Sequence, residues 1–346
     1  GMARPQAPPR WKIMWWTFLD IFLTNFLKCF DKFLRVVGPV FVCFAIVLIS
    51  GVVYSWFEFV LPVIAPPGSI LWTIYIIIAA WLTFNVFWNY LSTILTPPGD
   101  VPHDYQDPQP RDLESQVDMH EEKHPDGFKR WCKKCRKPKP PRTHHCSVCR
   151  KCVLKMDHHC PWVSNCVGWK NYRTFFLFMA YLWVGCLYVM ATSAPTFFHH
   201  IRLRLHHRPY PDLRGPITPG HAYVVMSFIL AFSVSIAVGM LLGWHVYLVA
   251  TAQTTIEWYG NRMRGEQAKK RGEKWVNQWD VGWLENTALV LGSTPDPFAV
   301  AWWFVPTLRL PYGDGTVFKT HSQMVAMRSA AGSDGRDREA KPDVDV

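Results

Sequence analysis

Charged side chains are nearly missing from four long stretches of this chain, residues 36–61, 69–95, 172–198 and 222–250. Each is long enough to cross a bilayer, which takes about 20 helical residues. A length of 346 residues would invite a reading as two or three soluble domains, but 49% hydrophobic side chains gathered into a few blocks exclude it. No short apolar core followed by a small-residue cleavage site opens the sequence, and Gly1 before Met2 reads as the remnant of a cleaved tag. The first long apolar segment is therefore expected to act as its own insertion signal. No internal repeat is apparent. Lys and Arg are missing from the turn between the first two stretches, which is built of Pro62, Pro66, Pro67 and Gly68.

Cysteine is scarce outside one region. Seven of the ten (Cys132, Cys135, Cys146, Cys149, Cys152, Cys160, Cys166) crowd a hydrophilic stretch between the second and third apolar segments. In a secreted domain that density would mark a disulfide framework. Interleaved with histidines, it marks metal binding in a reducing compartment. The net charge of +11 is too diffuse to indicate nucleic acid, and no such partner is expected. The positive-inside bias and attraction to anionic membrane lipid account for it. The stretch from Pro97 to Lys170 is dense in Lys and Arg and both terminal segments are basic, so the termini and the cysteine region are expected in the cytosol. Arg202, Arg204, Arg208 and Arg214 in the second lumenal connection stand against this arrangement.

The expected architecture is an all-α polytopic membrane protein with four transmembrane helices. A cytosolic, zinc-stabilised cysteine-rich domain with small β-hairpins lies between the second and third. Residues 1–35 form an interfacial amphipathic helix, in which Trp, Phe and Leu mix with Lys12, Asp20, Lys28, Asp31, Lys32 and Arg35. Residues 36–95 hold helices one and two, 96–171 the cysteine-rich domain, 172–250 helices three and four, and 251–346 a cytosolic C-terminal domain. Its tail from Ser329 to Val346, rich in Gly, Asp, Arg and Lys, is expected to be disordered.

Cysteines two residues apart, as in Cys132-Lys-Lys-Cys135 and Cys146-Ser-Val-Cys149, can clamp one tetrahedral zinc. Seven cysteines with His144, His145, His158 and His159 make eleven candidate ligands, whereas two closed structural sites consume eight. Three residues are left over. If residues 157–160 run extended, His158 and Cys160 share one face and His159 takes the other. Spacing alone leaves open whether Cys160 or Cys166 is spared. It also leaves open a module in which every cysteine serves metal.

The run Asp157-His158-His159-Cys160 within Cys132 to Cys166 resembles the DHHC family of protein S-acyltransferases, or palmitoyltransferases. The match runs from Cys132 to Tyr172 and includes Pro141 to Cys146, Leu154 to Trp162 and Asn165 to Gly168. Thr254-Thr255-Ile256-Glu257 is similar to the family's Thr-Thr-x-Glu motif. Residues 277–292 are similar to its C-terminal motif, with Asn286 at the asparagine. The family's Asp-Pro-Gly appears as Pro97-Pro98-Gly99, and Leu310 to Gly315 looks like the aphilin, or Abl-philin, branch.

The resemblance implies a first zinc held by Cys132, Cys135, His145 and Cys152 and a second held by Cys146, Cys149, His159 and Cys166. Cys160 would then be the nucleophile, His158 its base, Asp157 the orienting acid and Thr255 the residue holding Asp157. In a fully extended strand Asp157 would point away from His158, so a local bend is expected there. The implied reaction is ping-pong transfer of a fatty acyl group from palmitoyl-CoA, through acyl-Cys160, to cytosolic cysteines of membrane-associated proteins. The endoplasmic reticulum or Golgi is the implied residence. A sixteen-carbon chain prefers a cavity between helices to water by roughly 12 kcal/mol, at about 0.8 kcal/mol per methylene. Trp162, Phe175 and Phe178 are expected at the cavity entrance. The competing readings are a catalytically silent zinc-binding membrane scaffold and a channel or transporter. Only Glu58 and His245 supply the membrane-buried charge that a channel or transporter would use.

Overall fold

The computed structural model describes residues 10–106, 130–205, 219–291 and 305–323, the last segment with gaps at 308, 310 and 312. The expected disordered tail, residues 1–9, Arg208, Arg214, Leu310 and Tyr312 lie outside the described residues.

Seven α-helices and three two-stranded antiparallel hairpins make up the described chain. Helices α1 (Arg10–Ser55), α3 (Ile70–Leu95), α4 (Tyr172–Leu205) and α5 (Pro219–Ala250) are long and apolar enough to cross a membrane. They leave Val36, Ile70, Leu95 and Met240 exposed, as a lipid-facing bundle must. Helix α4 packs against both α3 and α5 and has the most enclosed apolar stretch of the four.

The division expected at residues 35 and 36 is marked by no break. Helix α1 runs for 46 residues, a rise of about 69 Å, more than twice the thickness of a hydrocarbon core. The cysteine region clasps it at that point. Arg35 Nε donates to the Val148 carbonyl at 2.8 Å, and Phe41 packs on Trp162 with ring centroids 5.0 Å apart. A Cβ on Gly38 would come within 2.5 Å of Ser164 Oγ, so glycine there is a matter of space. The N-terminal half bears a ladder of stacked exposed rings, Phe18, Phe22, Phe26 and Phe30, one helical turn apart.

Proline shapes the far end of the first span. Pro62 has no N–H to offer the Glu58 carbonyl, and the helix relaxes into a π-helical turn, Trp56–Val60, before the short α2 (Leu61–Ile64). Gly68, at φ +81°, turns the chain, and Ser69 caps α3 by accepting the Trp72 N–H. After α3 the Pro97-Pro98-Gly99 turn is gripped by the cysteine region. Lys170 N donates to the Pro98 carbonyl and Leu154 N to that of Gly99, at 3.0 and 2.9 Å. These bonds use backbone carbonyls of the second and third turn positions, so a proline at the first leaves them intact.

The hairpins pair β1 (Trp131–Cys132) with β2 (Lys137–Pro138), β3 (His144–Cys146) with β4 (Lys151–Val153), and β5 (His158–Cys160) with β6 (Asn165–Val167). Helix α6 (Thr255–Lys270) follows α5 closely, and α7 (Trp283–Leu291) returns to pack on α5 and α4.

Candidate active site and paired metal clusters

The three hairpins are copies of one unit, a repeat that the sequence reading did not see. Cys132, Cys146 and Cys160 each stand first in a tight turn, spaced fourteen residues apart. Arg136, Arg150 and Ser164 hold the same later position with φ of +54°, +57° and +49°. In the first two turns the N–H of Cys135 or Cys149 donates back to the sulfur of Cys132 or Cys146, at 3.4 and 3.3 Å. In the third, Val163 stands where the second cysteine would be, and the turn closes as a 3-10 helix, Pro161–Val163.

The strands of one hairpin complete the turn of the preceding one. Register places His145 opposite Cys152 and His159 opposite Cys166. The donor atoms of Cys132, Cys135, His145 and Cys152 lie within 4.8 Å of one another, and so do those of Cys146, Cys149, His159 and Cys166. Ligands about 2.3 Å from a tetrahedral zinc stand about 3.8 Å apart. In the first cluster His145 Nδ1 lies 3.6, 3.2 and 3.9 Å from the sulfurs of Cys132, Cys135 and Cys152. In the second His159 Nδ1 lies 3.8, 3.4 and 3.6 Å from those of Cys146, Cys149 and Cys166. Three thiols and one imidazole at tetrahedral edge lengths fit structural zinc. Cys166 thereby stands across the strand pair within the second cluster, whereas Cys160 opens a turn that lacks its second thiol, and among the described residues no fourth hairpin completes it.

Strand alternation puts His158 and Cys160 on the face opposite His159. That face lines a cavity of about 420 Å³ enclosed by α1, α3, α4 and α5. Cys160 is only 8% exposed and sits at its mouth with Trp162, Phe175 and Phe178. Trp162 remains 48% exposed, while Phe175 and Phe178 are buried. Tyr90, fully buried, donates from its hydroxyl to the Trp162 carbonyl at 2.6 Å and stacks on Phe178 at 4.6 Å, bracing the turn that carries Cys160. The cavity ends against Trp56 and Tyr188, whose centroids are 5.4 Å apart. Its wall along α4 extends from Phe175 to Val189, a rise of about 21 Å.

Asp157 precedes β5 and is fully buried. The chain bends before it, with Lys155 at φ +43°, and this lets the carboxylate turn toward its neighbour. His158 Nδ1 lies 2.6 Å from Asp157 Oδ2. Thr255 donates its backbone N–H to Oδ1 at 2.8 Å and its hydroxyl to Oδ2 at 2.9 Å. Burial alone would push the Asp157 carboxyl up, but the bonds from His158 and Thr255 outweigh it and hold the group below the usual carboxylate range. Burial likewise disfavours a charged His158, yet its bonds to Asp157 and Cys160 prevail and raise it to about 9.

Thr255 is placed by the helix it begins. Thr254 and Glu257 form a capping box at the start of α6, which fixes Thr255 in its first turn beside Asp157. Glu257 also takes Arg142 in two bonds, Nε to Oε1 at 2.7 Å and Nη2 to Oε2 at 2.6 Å. The guanidinium faces the rings of Trp279 and Phe318, 5.2 and 5.1 Å from their centroids. Burial would raise the Glu257 carboxyl, but Arg142 outweighs it and holds the group low. His144, the third residue outside the clusters, is lowered to about 4 by burial and the nearby Arg130, which keeps it neutral.

Asn286 is 2% exposed and some way from the thiol. Its Nδ2 donates to the Ala250 carbonyl at 2.8 Å and to Asp280 Oδ1 at 2.7 Å, tying the C-terminal segment to the end of α5. Arg173 makes the matching tie from α4, donating to the carbonyls of Leu291 and Thr307. Sequence reasoning missed Tyr90, Arg173 and the pairing of Arg142 with Glu257. A tyrosine and an arginine inside apolar helices, and an arginine just before the His144 pair, were the available signals.

A family model of DHHC palmitoyltransferases matches residues 126–262. The chain is 35% identical over 239 residues to "Probable protein S-acyltransferase 16" of Arabidopsis thaliana, covering 69% of this chain and 78% of that one. It is 34% identical over 292 residues to "Palmitoyltransferase ZDHHC16" of Mus musculus, covering 82% and 75%. "Putative ZDHHC-type palmitoyltransferase 4" of Dictyostelium discoideum is 38% identical over 235 residues, covering 64% and 63%.

Proposed function

The chain belongs to the DHHC family of palmitoyltransferases, with relatives in its aphilin (ZDHHC16) branch, and from that premise we propose that it transfers a long-chain acyl group from acyl-CoA to protein cysteines through an acyl-Cys160 intermediate. The observation that carries the reading is Cys160 beside the Asp157–His158 pair at the mouth of an apolar cavity.

In the first step the Cys160 thiolate, paired with a His158 that already holds a proton near neutral pH, attacks the thioester carbonyl of palmitoyl-CoA. The bond from the acyl carbon to the CoA sulfur breaks, and CoA leaves with the proton returned by His158. In the second, His158 takes the proton of an acceptor cysteine, whose sulfur attacks the acyl carbon, and Cys160 leaves as the thiolate beside the protonated His158. Asp157 orients the imidazole and balances its charge while it holds the proton. One thioester replaces another, so catalysis rests on positioning and thiolate activation. The cavity takes the acyl chain, and the basic residues of the hairpins supply cations for CoA phosphates.

The two Cys3His clusters would each hold a structural zinc, which would keep the hairpins rigid without an apolar core of their own. Both termini and the hairpins face the cytosol in this reading, which the run of Lys and Arg from Pro97 to Lys170 supports. Residence in the endoplasmic reticulum or Golgi rests on the family alone. A silent zinc scaffold would have no use for an acyl-sized cavity ending on an unligated thiol.

The test is purified protein with palmitoyl-CoA and a cysteine-bearing acceptor. A burst of CoA release without acceptor, followed by turnover on its addition, is expected. Turnover with no burst and no acyl-enzyme would overturn the two-step reading.

A further inference from the structure

One buried ionisable side chain takes no part in these steps. His245 is 1% exposed and lies in the last turns of α5, an otherwise apolar helix. Burying an imidazole costs free energy unless polar groups meet its nitrogens. The Tyr172 hydroxyl, itself buried, lies 2.8 Å from Nδ1. A nitrogen of the ring comes within 4.8 Å of an Asp157 oxygen and a His158 nitrogen, and the two imidazole centroids are 6.0 Å apart. Phe175 stands edge-on to both rings, 5.3 Å from His245 and 5.4 Å from His158. These three polar groups are not disposed as a metal site, because both Asp157 oxygens are committed to Thr255 and His158.

We propose that His245, held by Tyr172, is a positioning residue that fixes the plane of the His158 ring for proton exchange with Cys160. The bond to Asp157 fixes one point of that ring, leaving it free to swing about the bonded nitrogen. Contact with Phe175 and His245 removes that freedom. A polar ring is required as well as a bulky one. The Tyr172 hydroxyl orients the His245 ring, which therefore presents a fixed dipole to His158 where hydrocarbon would present none.

The inference rests on the acyltransferase reading and is tested on the full-length protein. The rate of acyl-enzyme formation is followed over a range of palmitoyl-CoA concentrations, with zinc content measured alongside. His245→Phe and Tyr172→Phe are expected to lower the maximal rate by about tenfold or more, with half-saturation and zinc unchanged. His245→Gln, which keeps a polar group at the site, is expected to recover most of it. Wild-type rates in His245→Phe and Tyr172→Phe, or a loss in His245→Gln as deep as in His245→Phe, would overturn the proposal. Should His245→Phe lose zinc, Tyr172→Phe, which removes a single oxygen, decides by the same criterion. Failure of the unmutated protein to form a hydroxylamine-sensitive acyl-enzyme would instead defeat the acyltransferase reading itself.

Discussion

Thr255 holds Asp157 by two bonds, its backbone N–H on one carboxylate oxygen at 2.8 Å and its hydroxyl on the other at 2.9 Å. The N–H is one of the unpaired donors at the start of α6, so the carboxylate sits where the helix dipole favours a negative charge. Replacing Thr255 by Val removes only the hydroxyl bond. A hydrogen bond to a charged group contributes about 1.5–3 kcal/mol, so acyl-enzyme formation should slow roughly ten- to a hundredfold. Thr255→Ser should stay near wild type. Single-turnover labelling with palmitoyl-CoA measures both, and a Thr255→Val rate equal to wild type would remove the hydroxyl from the account.

Adjacent histidines should fail differently. His158 faces the cavity and His159 faces three sulfurs, so His158→Ala should keep two zincs per chain and lose acyl-enzyme formation by about 10²–10⁴-fold. His159→Ala should lose metal from the second cluster and with it the fold of the third hairpin. Metal analysis of the two purified variants distinguishes them, and loss of zinc from His158→Ala would contradict the assignment.

Trp56 closes the cavity floor. Its Nε1 donates to Thr192 Oγ1 at 2.8 Å, and Thr192 also lines a separate recess beyond. Trp56→Ala should join the two spaces and shift acyl-CoA preference toward longer chains. Competition between acyl-CoAs of different length reads the shift, and an unchanged preference would place the limit elsewhere.

Arg142 and Glu257 form a buried ion pair, and the side chains are 5% and 10% exposed. Leaving either charge alone in that setting costs about 3–5 kcal/mol. Arg142→Ala should therefore lower thermal stability in detergent sharply, and Arg142→Lys should restore only part of it, because one ammonium cannot make both bonds and spread over the rings of Trp279 and Phe318. Equal melting temperatures for Arg142→Lys and wild type would contradict this.

The four apolar blocks and the crowded cysteines made the architecture legible from composition and periodicity alone. The repeat escaped because its copies are chemically unequal. Pro138 stands where Cys152 and Cys166 stand later, and Val163 replaces the cysteine of the earlier turns. For the same reason ligand counting could say that three of eleven donors are spare, yet could not choose between Cys160 and Cys166. Cross-strand register separates them, and register is a long-range property. The division of α1 at residues 35 and 36 followed the change from charged to apolar residues, which alters what the helix faces and not its backbone. Gly38 leaves room for Ser164, which a Cβ there would meet. His245 stood out as a polar residue in an apolar helix, but its neighbours come from segments roughly seventy to ninety residues earlier in the chain.

The central claim is that Cys160 alone carries the acyl group. Purified protein incubated with a clickable palmitoyl-CoA, digested and mapped by mass spectrometry, should carry hydroxylamine-sensitive label on the peptide containing Cys160, and Cys160→Ala should carry none. Equal hydroxylamine-sensitive label in Cys160→Ala, or label mapped to one of the eight cluster ligands, would contradict the account.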